Sequence, residues 1–162
     1  MRKHPNKVQF HGVLTHVDTT SDRAPAGSRG HRVDLTRTAA EAALPSLIGM
    51  ALDWTPRLDG HDVRHKVGVI THAELRGNEL RVHGHLFAQD FPDVIRELRT
   101  HGAERVGLSY EIADAKIEDA RAKIWRITEA TFTGAAVLLR SKAAYQDTWI
   151  ALGAEPAVAR AA

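Results

Sequence analysis

Residues 66–88 read KVGVITHAELRGNELRVHGHLFA and contain two strand-like runs on either side of a short turn. The runs 66–75 and 79–88 are rich in Val, Ile and Leu, and Arg-Gly-Asn between them is a strong β-hairpin signal. This stretch therefore predicts two antiparallel strands. Similar apolar patterns on both sides of the hairpin predict further strands over 7–18, 31–35, 104–113 and 124–139.

Helix signals are fewer than strand signals. Three helices are expected: one over 39–50 with a capping box of Thr38 and Glu41, one opened by Asp90-Phe-Pro-Asp and ended by Gly102, and one over 142–152 capped by Ser141 and ended by Gly153. Pro45 should kink or split the first of them, because proline has no N–H to donate within a helix. The polar run 53–64 predicts a loop.

The pattern as a whole predicts an α+β fold that is mostly β. We expect a curved mixed sheet or barrel of about six to seven strands with about two to three flanking helices. A chain of 162 residues, 43% of them hydrophobic, is sufficient for a single packed core. One domain over residues 1–152 is therefore expected, followed by a frayed tail over 153–162.

Composition excludes several functional classes. The chain has no cysteine, which removes a disulfide framework, a thiolate metal site and a cysteine nucleophile. Its 22 Lys and Arg residues nearly balance 20 Asp and Glu, so a nucleic-acid partner is not expected. No apolar run is long enough to span a bilayer and no signal peptide is recognisable, so neither a membrane partner nor export is expected. Ten histidines are the unusual feature.

Three residues are candidates for catalysis. His61, followed by Asp62, lies in a loop that leads into a strand, where an imidazole can face a cleft and act as a general base. Ser109 follows a glycine within a strand, and Glu129 is an acid within an apolar strand. Each also has a simpler interpretation: a solvated loop histidine, a structural serine and a carboxylate on a solvated strand face.

His83 and His85 are the candidates for a metal site. Alternation along one strand places both imidazoles on the same face. From Gly77, the spacing G-x5-H-x-H matches the first half of the cupin metal motif, whereas the second half is missing. A metal-dependent, cupin-like β-barrel enzyme that uses these two histidines, with His61 or His72, is thus an alternative. A solvent-facing histidine pair is the simpler interpretation.

The order of these pieces resembles the tailed-phage prohead proteases, the capsid maturation serine proteases related to herpesvirus assemblin. The matching segments, which span about residues 8–140, are His61-Asp62 before KVGVI (66–70), the hairpin, the helix FPDVIRELRTHG (91–102), Gly-Leu-Ser-Tyr (107–110) and Glu129-Ala-Thr-Phe-Thr. The chain departs from the family where Thr133-Gly134-Ala135-Ala136 replaces a Pro-Ala-Asn turn.

The resemblance implies a serine endopeptidase with a prohead protease fold. Ser109 would be the nucleophile, His61 the base and Glu129 the third member of the triad. Backbone N–H groups at Thr133 and Gly134 are candidates for the oxyanion hole. No cofactor is implied.

The biology that the resemblance implies is virion assembly in a bacteriophage or a prophage. Expected substrates are capsid and scaffold proteins, with self-cleavage left open, and expected partners are the portal and the procapsid shell. The site of action would be the assembling procapsid in the host cytoplasm, and a homo-oligomer stays open. The alternative outside enzymes is a catalytically inactive capsid-assembly module.

Overall fold

A computed structural model describes residues 2–156 of the chain. It contains eight strands and two α-helices. In chain order they are β1 (Val8–His16), β2 (Arg32–Leu35), α1 (Arg37–Leu47), β3 (Ala51–Trp54), β4 (Lys66–Arg76), β5 (Glu79–Leu86), α2 (Pro92–Arg105), β6 (Val106–Ile117), β7 (Ile124–Leu139) and β8 (Trp149–Leu152). A short 3-10 helix, Arg140–Lys142, follows β7.

All eight strands belong to one curled mixed sheet. Its order is β2-β7-β3-β4-β5-β1-β8, and β6 pairs with β7. Strand β7 runs parallel to β2 and β3, whereas the other pairs are antiparallel. The backbone N–H of Leu108 in β6 donates to Thr148 Oγ1, just before β8, at 3.1 Å. This contact links β6 to the end of the sheet that carries β8. The prediction of a mostly-β α+β fold with a curved mixed sheet is confirmed.

The predicted hairpin is β4 and β5. Leu75 lies opposite Leu80 across it, and Gly77 in the turn has a φ of 57° that favours glycine. Every second residue of β5 is buried, as alternation requires. The buried side chains of the hairpin are Val67, Ile70, Leu80, Val82 and Leu86.

The hairpin also contains a glycine that another strand packs against. A Cβ added at Gly84 would overlap the Val69 carbonyl oxygen and lie 2.8 Å from Phe10 Cε1. The Val69 carbonyl oxygen belongs to the backbone and cannot rotate away as a side chain can. Gly84→Ala should therefore lower the free energy of unfolding by about 3 kcal/mol. Urea unfolding measures this. Gly60→Ala is the control, since a Cβ there meets nothing within 4 Å. Equal midpoints for the two variants would contradict the packing described.

Helix α1 begins two residues earlier than the predicted cap implied. Thr36, not Thr38, is the N-cap, and its side chain accepts a hydrogen bond from the Ala39 N–H. Pro45 lies in the last turn, and the helix continues as one element to Leu47. The predicted split at this proline is therefore wrong. The alanines and Leu47 on its inner face are buried in the core.

Helix α2 forms where it was predicted. Pro92 is its first residue, where proline is tolerated, and Val94, Ile95 and Leu98 bury its apolar face. Gly102 leaves helical geometry with φ 66° and ψ −177°, so it interrupts the helix at the expected place. One further turn continues to Arg105.

The predicted third helix is wrong. Residues 140–142 form only the 3-10 helix, and the chain then extends into β8, which pairs with β1. Thr148 is fully buried and bonded to β6, so this segment is held by tertiary contacts rather than by a helical cap. The predicted loop over 53–64 also needs correction, because its first two residues belong to β3.

The predicted tail over 153–162 is described as far as residue 156, and residues 157–162 lie outside the described part. Within that part, Glu155 is buried. Between residues 2 and 156, no helix combines the length and apolarity that a bilayer crossing requires.

Candidate active site

Strand register aligns four residues across the sheet. Ser109 in β6 and Asp53 in β3 both lie opposite Ala136 in β7, one from each side, and Asp53 lies opposite Lys66 in β4. Residues paired in this way point to the same face of a sheet. With neighbouring strands spaced about 4.8 Å apart, the Cα atoms of Ser109 and Asp53 are about 10 Å apart. We call these four residues the serine row.

Asp53 is a buried acid with a fixed partner. Its neighbours Leu52 and Trp54 face the core, so alternation points the carboxylate to the opposite face. Only 2% of this side chain is exposed, and its Oδ1 accepts a hydrogen bond from Lys66 Nζ at 2.8 Å. The lysine supplies the charge that an ionised buried carboxylate requires.

The loop between β3 and β4 brings His61 over the serine row. Leu58 in this loop is buried, and its carbonyl accepts a hydrogen bond from the Leu139 N–H at 2.8 Å. His61 Nδ1 lies 3.4 Å from Glu111 Oε2 and 4.0 Å from Asp53 Oδ2. The imidazole is therefore held between two carboxylates.

Glu111 links His61 to the strand that carries Ser109. It follows Ser109 by two residues in β6, so both side chains leave the same face of the strand. Thr133 Oγ1 donates to Glu111 Oε1 at 3.0 Å. The register skips Thr133, since Glu111 lies opposite Gly134 and Ile112 opposite Phe132. This is a β-bulge, a device that often redirects side chains beside active sites.

The Asp62 carboxylate bonds to Arg64 and His65 rather than to the His61 imidazole, and it shapes the same loop. Its Oδ1 accepts hydrogen bonds from the backbone and side chain of Arg64 at 3.0 and 3.1 Å, and its Oδ2 lies 2.9 Å from His65 Nδ1. The Arg64 hydrogen bonds hold the pKa of the Asp62 carboxyl well below its usual range. Asp62 therefore stays ionised and orders the turn after His61.

Glu129, the predicted third member, lies elsewhere. Its side chain is 62% exposed and its Oε2 pairs with Lys116 Nζ at 3.0 Å. It precedes Gly134, the residue opposite Glu111, by five positions in β7, which is roughly 16 Å along an extended strand. The geometry does not bring Glu129 to His61, and the acids beside this imidazole are Asp53 and Glu111.

Sequence reasoning missed both of these acids, although each left a signal. Asp53 stands between Leu52 and Trp54, an acid in the middle of a short apolar run. Glu111 follows Ser109 at the spacing that shares a strand face.

The other predicted site residues take different positions. Thr133 and Gly134, the candidate oxyanion donors, lie at the bulge, where the Thr133 hydroxyl is bonded to Glu111. His83 and His85 share one face of β5, but their neighbours differ. His83 Nε2 lies 3.1 Å from Glu155 Oε2, whereas the His85 ring packs edge-on against Phe87.

Two groups of side chains in the described part of the chain could hold a metal ion. They are Asp53 with His61 and Glu111, and Glu74 with His83 and Glu155. His85 belongs to neither, so the predicted pairing of His83 with His85 is not the arrangement found. The first group shares Asp53 with the serine row. An imidazole paired with a carboxylate is also the arrangement that orients the general base in nucleophilic catalysis by a hydroxyl.

No family model and no curated protein matches the chain. Among solved structures, the chain is similar to the capsid assembly protease gp21 of bacteriophage T4, with a TM-score of 0.54 and 12% sequence identity. The match covers 81% of this chain and 80% of that one. The two proteins therefore share a fold over most of their length.

Proposed function

We propose that this chain is a serine endopeptidase of the prohead maturation type. The observation that carries the proposal is the position of His61, whose Nδ1 lies within 4.0 Å of two carboxylates above a row that contains Ser109. The fold that the chain shares with a phage capsid assembly protease supports the same conclusion.

In the proposed mechanism, Ser109 Oγ attacks the carbonyl carbon of the scissile peptide bond. His61 takes the hydroxyl proton on Nε2 and then gives it to the leaving amine. Water hydrolyses the resulting acyl-enzyme by the same route in reverse. Nδ1–H faces the carboxylates, so the ring keeps the tautomer that leaves Nε2 free to accept a proton.

The third member of the proposed triad is Asp53, with Glu111 as a second acceptor. Asp53 is buried and its position is fixed by Lys66, whereas the side chain of Glu111 is 41% exposed. A buried carboxylate stabilises an imidazolium more strongly than a solvated one, because solvent screens the interaction less. Asp53 thus takes the role that the resemblance gave to Glu129.

The oxyanion hole is proposed at the β7 bulge, as the sequence predicted. Thr133 is the extra residue of that bulge, and bulged residues leave the regular ladder of the sheet. A backbone N–H of Thr133 or Gly134 would then donate a hydrogen bond to the carbonyl oxygen of the scissile peptide, on which negative charge develops in the transition state.

The proposed substrates are capsid and scaffold proteins, and the chain itself where self-cleavage occurs. The portal and the procapsid shell are the proposed partners, and the assembling procapsid inside the host cell is the proposed site of action. These assignments rest on the fold shared with the T4 protease and on the order of the sequence motifs.

A fluorophosphonate probe tests the function directly. In cells that co-express the cognate scaffold and capsid proteins, we expect one adduct on the peptide that contains Ser109, because the probe requires an activated hydroxyl. Chelation by EDTA should leave the labelling and the cleavage of scaffold unchanged. Ser141, an exposed serine, serves as the internal control for non-specific labelling.

Three results would contradict the proposal. Labelling of Ser141 to the same extent would remove the case for activation at Ser109. Loss of cleavage on chelation in a protein that carries His83→Ala would instead favour a metal ion held by the group that contains His61. Binding of scaffold without labelling or cleavage would indicate an inactive assembly module.

A further inference from the structure

A second cluster of histidines and glutamates lies on the strands β1, β4 and β5, apart from the serine row. His83 in β5 is opposite His11 in β1 on one side and opposite His72 in β4 on the other. Their ring centroids are 6.4 Å apart for His11 and His83, and 5.3 Å for His72 and His83. Three imidazoles thus form a line across neighbouring strands, and we call them the histidine row.

Two glutamates complete this cluster. Glu155 lies beyond β8, and its side chain is only 3% exposed, with Oε2 lying 3.1 Å from His83 Nε2. Glu74, His83 and Glu155 each offer one ligand atom, and these atoms all lie within 4.8 Å of one another. A glutamate from the end of the described chain therefore meets ligands from two central strands.

We propose that His83, Glu74 and Glu155 bind a divalent transition-metal cation such as Zn²⁺. His83 and Glu155 are the central ligands, Glu74 is the third, and the imidazoles of His72 and His11 lie beside them in the histidine row. The 3.1 Å between His83 Nε2 and Glu155 Oε2 is close to the separation of two ligands on one tetrahedral zinc ion, about 3.3 Å for bonds of about 2.0 Å. Imidazole with carboxylate is a ligand set that suits zinc.

His11 adds an observation of its own. Its Nδ1 lies 2.9 Å from the carbonyl oxygen of Gly153. A carbonyl only accepts, so Nδ1 carries a proton. Contacts of this kind orient the histidines around metal sites. The hydrogen bond to Gly153 thus fixes the orientation of the His11 ring at the end of the row.

Two arginines form hydrogen bonds and ion pairs with the carboxylates of the cluster. Glu155 Oε1 accepts hydrogen bonds from Arg76 Nη1 and Arg81 Nη1, and its Oε2 accepts one from Arg76 Nη2. Arg76 also pairs with Glu74, and Arg81 pairs with Glu79. Three carboxylates against two guanidinium groups leave an excess of negative charge when the imidazoles are neutral. The arginines therefore orient Glu155 without making the cluster positive overall.

Calorimetric titration with ZnCl₂ tests the proposal. It uses the full chain carrying His61→Ala, so that the group of Asp53, His61 and Glu111 cannot contribute the signal. We expect one equivalent of Zn²⁺ to bind, and His83→Ala in this background should weaken binding by at least about tenfold. His85→Ala is the matched control, because His85 lies on the same face of β5 but outside the cluster. It should leave the affinity unchanged.

Glu155→Gln gives a second measurement, since it removes the charge of a central ligand at constant shape. We expect it to weaken Zn²⁺ binding as His83→Ala does. If His83→Ala does not fold, as judged by circular dichroism, Glu74→Gln takes its place, with the same expected direction. Absence of Zn²⁺ binding in the His61→Ala protein would overturn the proposal. Equal losses in the His83 and His85 variants would overturn it as well.

Discussion

Replacing Ser109 with alanine is expected to reduce cleavage of co-expressed scaffold and capsid proteins by roughly 10⁴-fold or more, which is the scale of nucleophile removal in serine proteases. The physical reason is that alanine has no oxygen to form the acyl-enzyme, so the imidazole of His61 has no proton to take. The measurement is the fraction of scaffold converted to product, followed by gel electrophoresis over time.

The Ser109→Ala protein should retain its fold. Ser109 is half-buried and is paired with Ala136 by the β6–β7 ladder, so removing one side-chain oxygen leaves this register intact. Ser141→Ala is the matched control, because that serine is exposed in the 3-10 helix after β7. Cleavage at an undiminished rate by Ser109→Ala would show that another residue is the nucleophile.

The parts of the fold that sequence predicted well are those that local chemistry determines. The hairpin of β4 and β5 needs only its turn residues and the alternation of its two strands, all within residues 66–88. The start of α2 likewise follows from Pro92, and its interruption from Gly102. Each of these signals lies within a few residues of the feature that it specifies.

The parts that sequence missed depend on distant partners. Strand β8 exists because it pairs with β1, which lies more than a hundred residues earlier in the chain. Residues 141–152, which include β8, have a capping serine and enough apolar residues for a helix, so the local signals favoured the wrong structure. Strand β3 is similar, since four residues beside a polar loop become a strand only between β4 and β7.

The candidate site shows the same difference between local and distant signals. His61 and Ser109 became candidates because short motifs surround them. Asp53 did not, because its position near His61 depends on the register of three strands at Ala136. Glu129 was selected by its order along the chain, and only the register reveals that it lies far down β7 from the imidazole.

Changing Asp53 to asparagine is expected to lower kcat for peptide cleavage by roughly 10³- to 10⁴-fold, with a much smaller change in KM. Asparagine keeps the shape of the side chain but removes the charge that orients His61 and stabilises its protonated form. The partner left behind, Lys66, is 46% exposed, so its ammonium stays solvated and the fold should survive. Steady-state kinetics on a peptide from the scaffold cleavage site provides the measurement.

Two matched variants identify which acid acts on His61. Glu111→Gln should lower kcat less than Asp53→Asn, because Glu111 is the more exposed carboxylate and solvent screens its charge. Glu129→Gln should have no effect beyond the loss of its surface pair with Lys116, which contributes little to stability. If Glu129→Gln lowers kcat as much as Asp53→Asn does, the acid of the triad is Glu129 and the carboxylates beside His61 have another role.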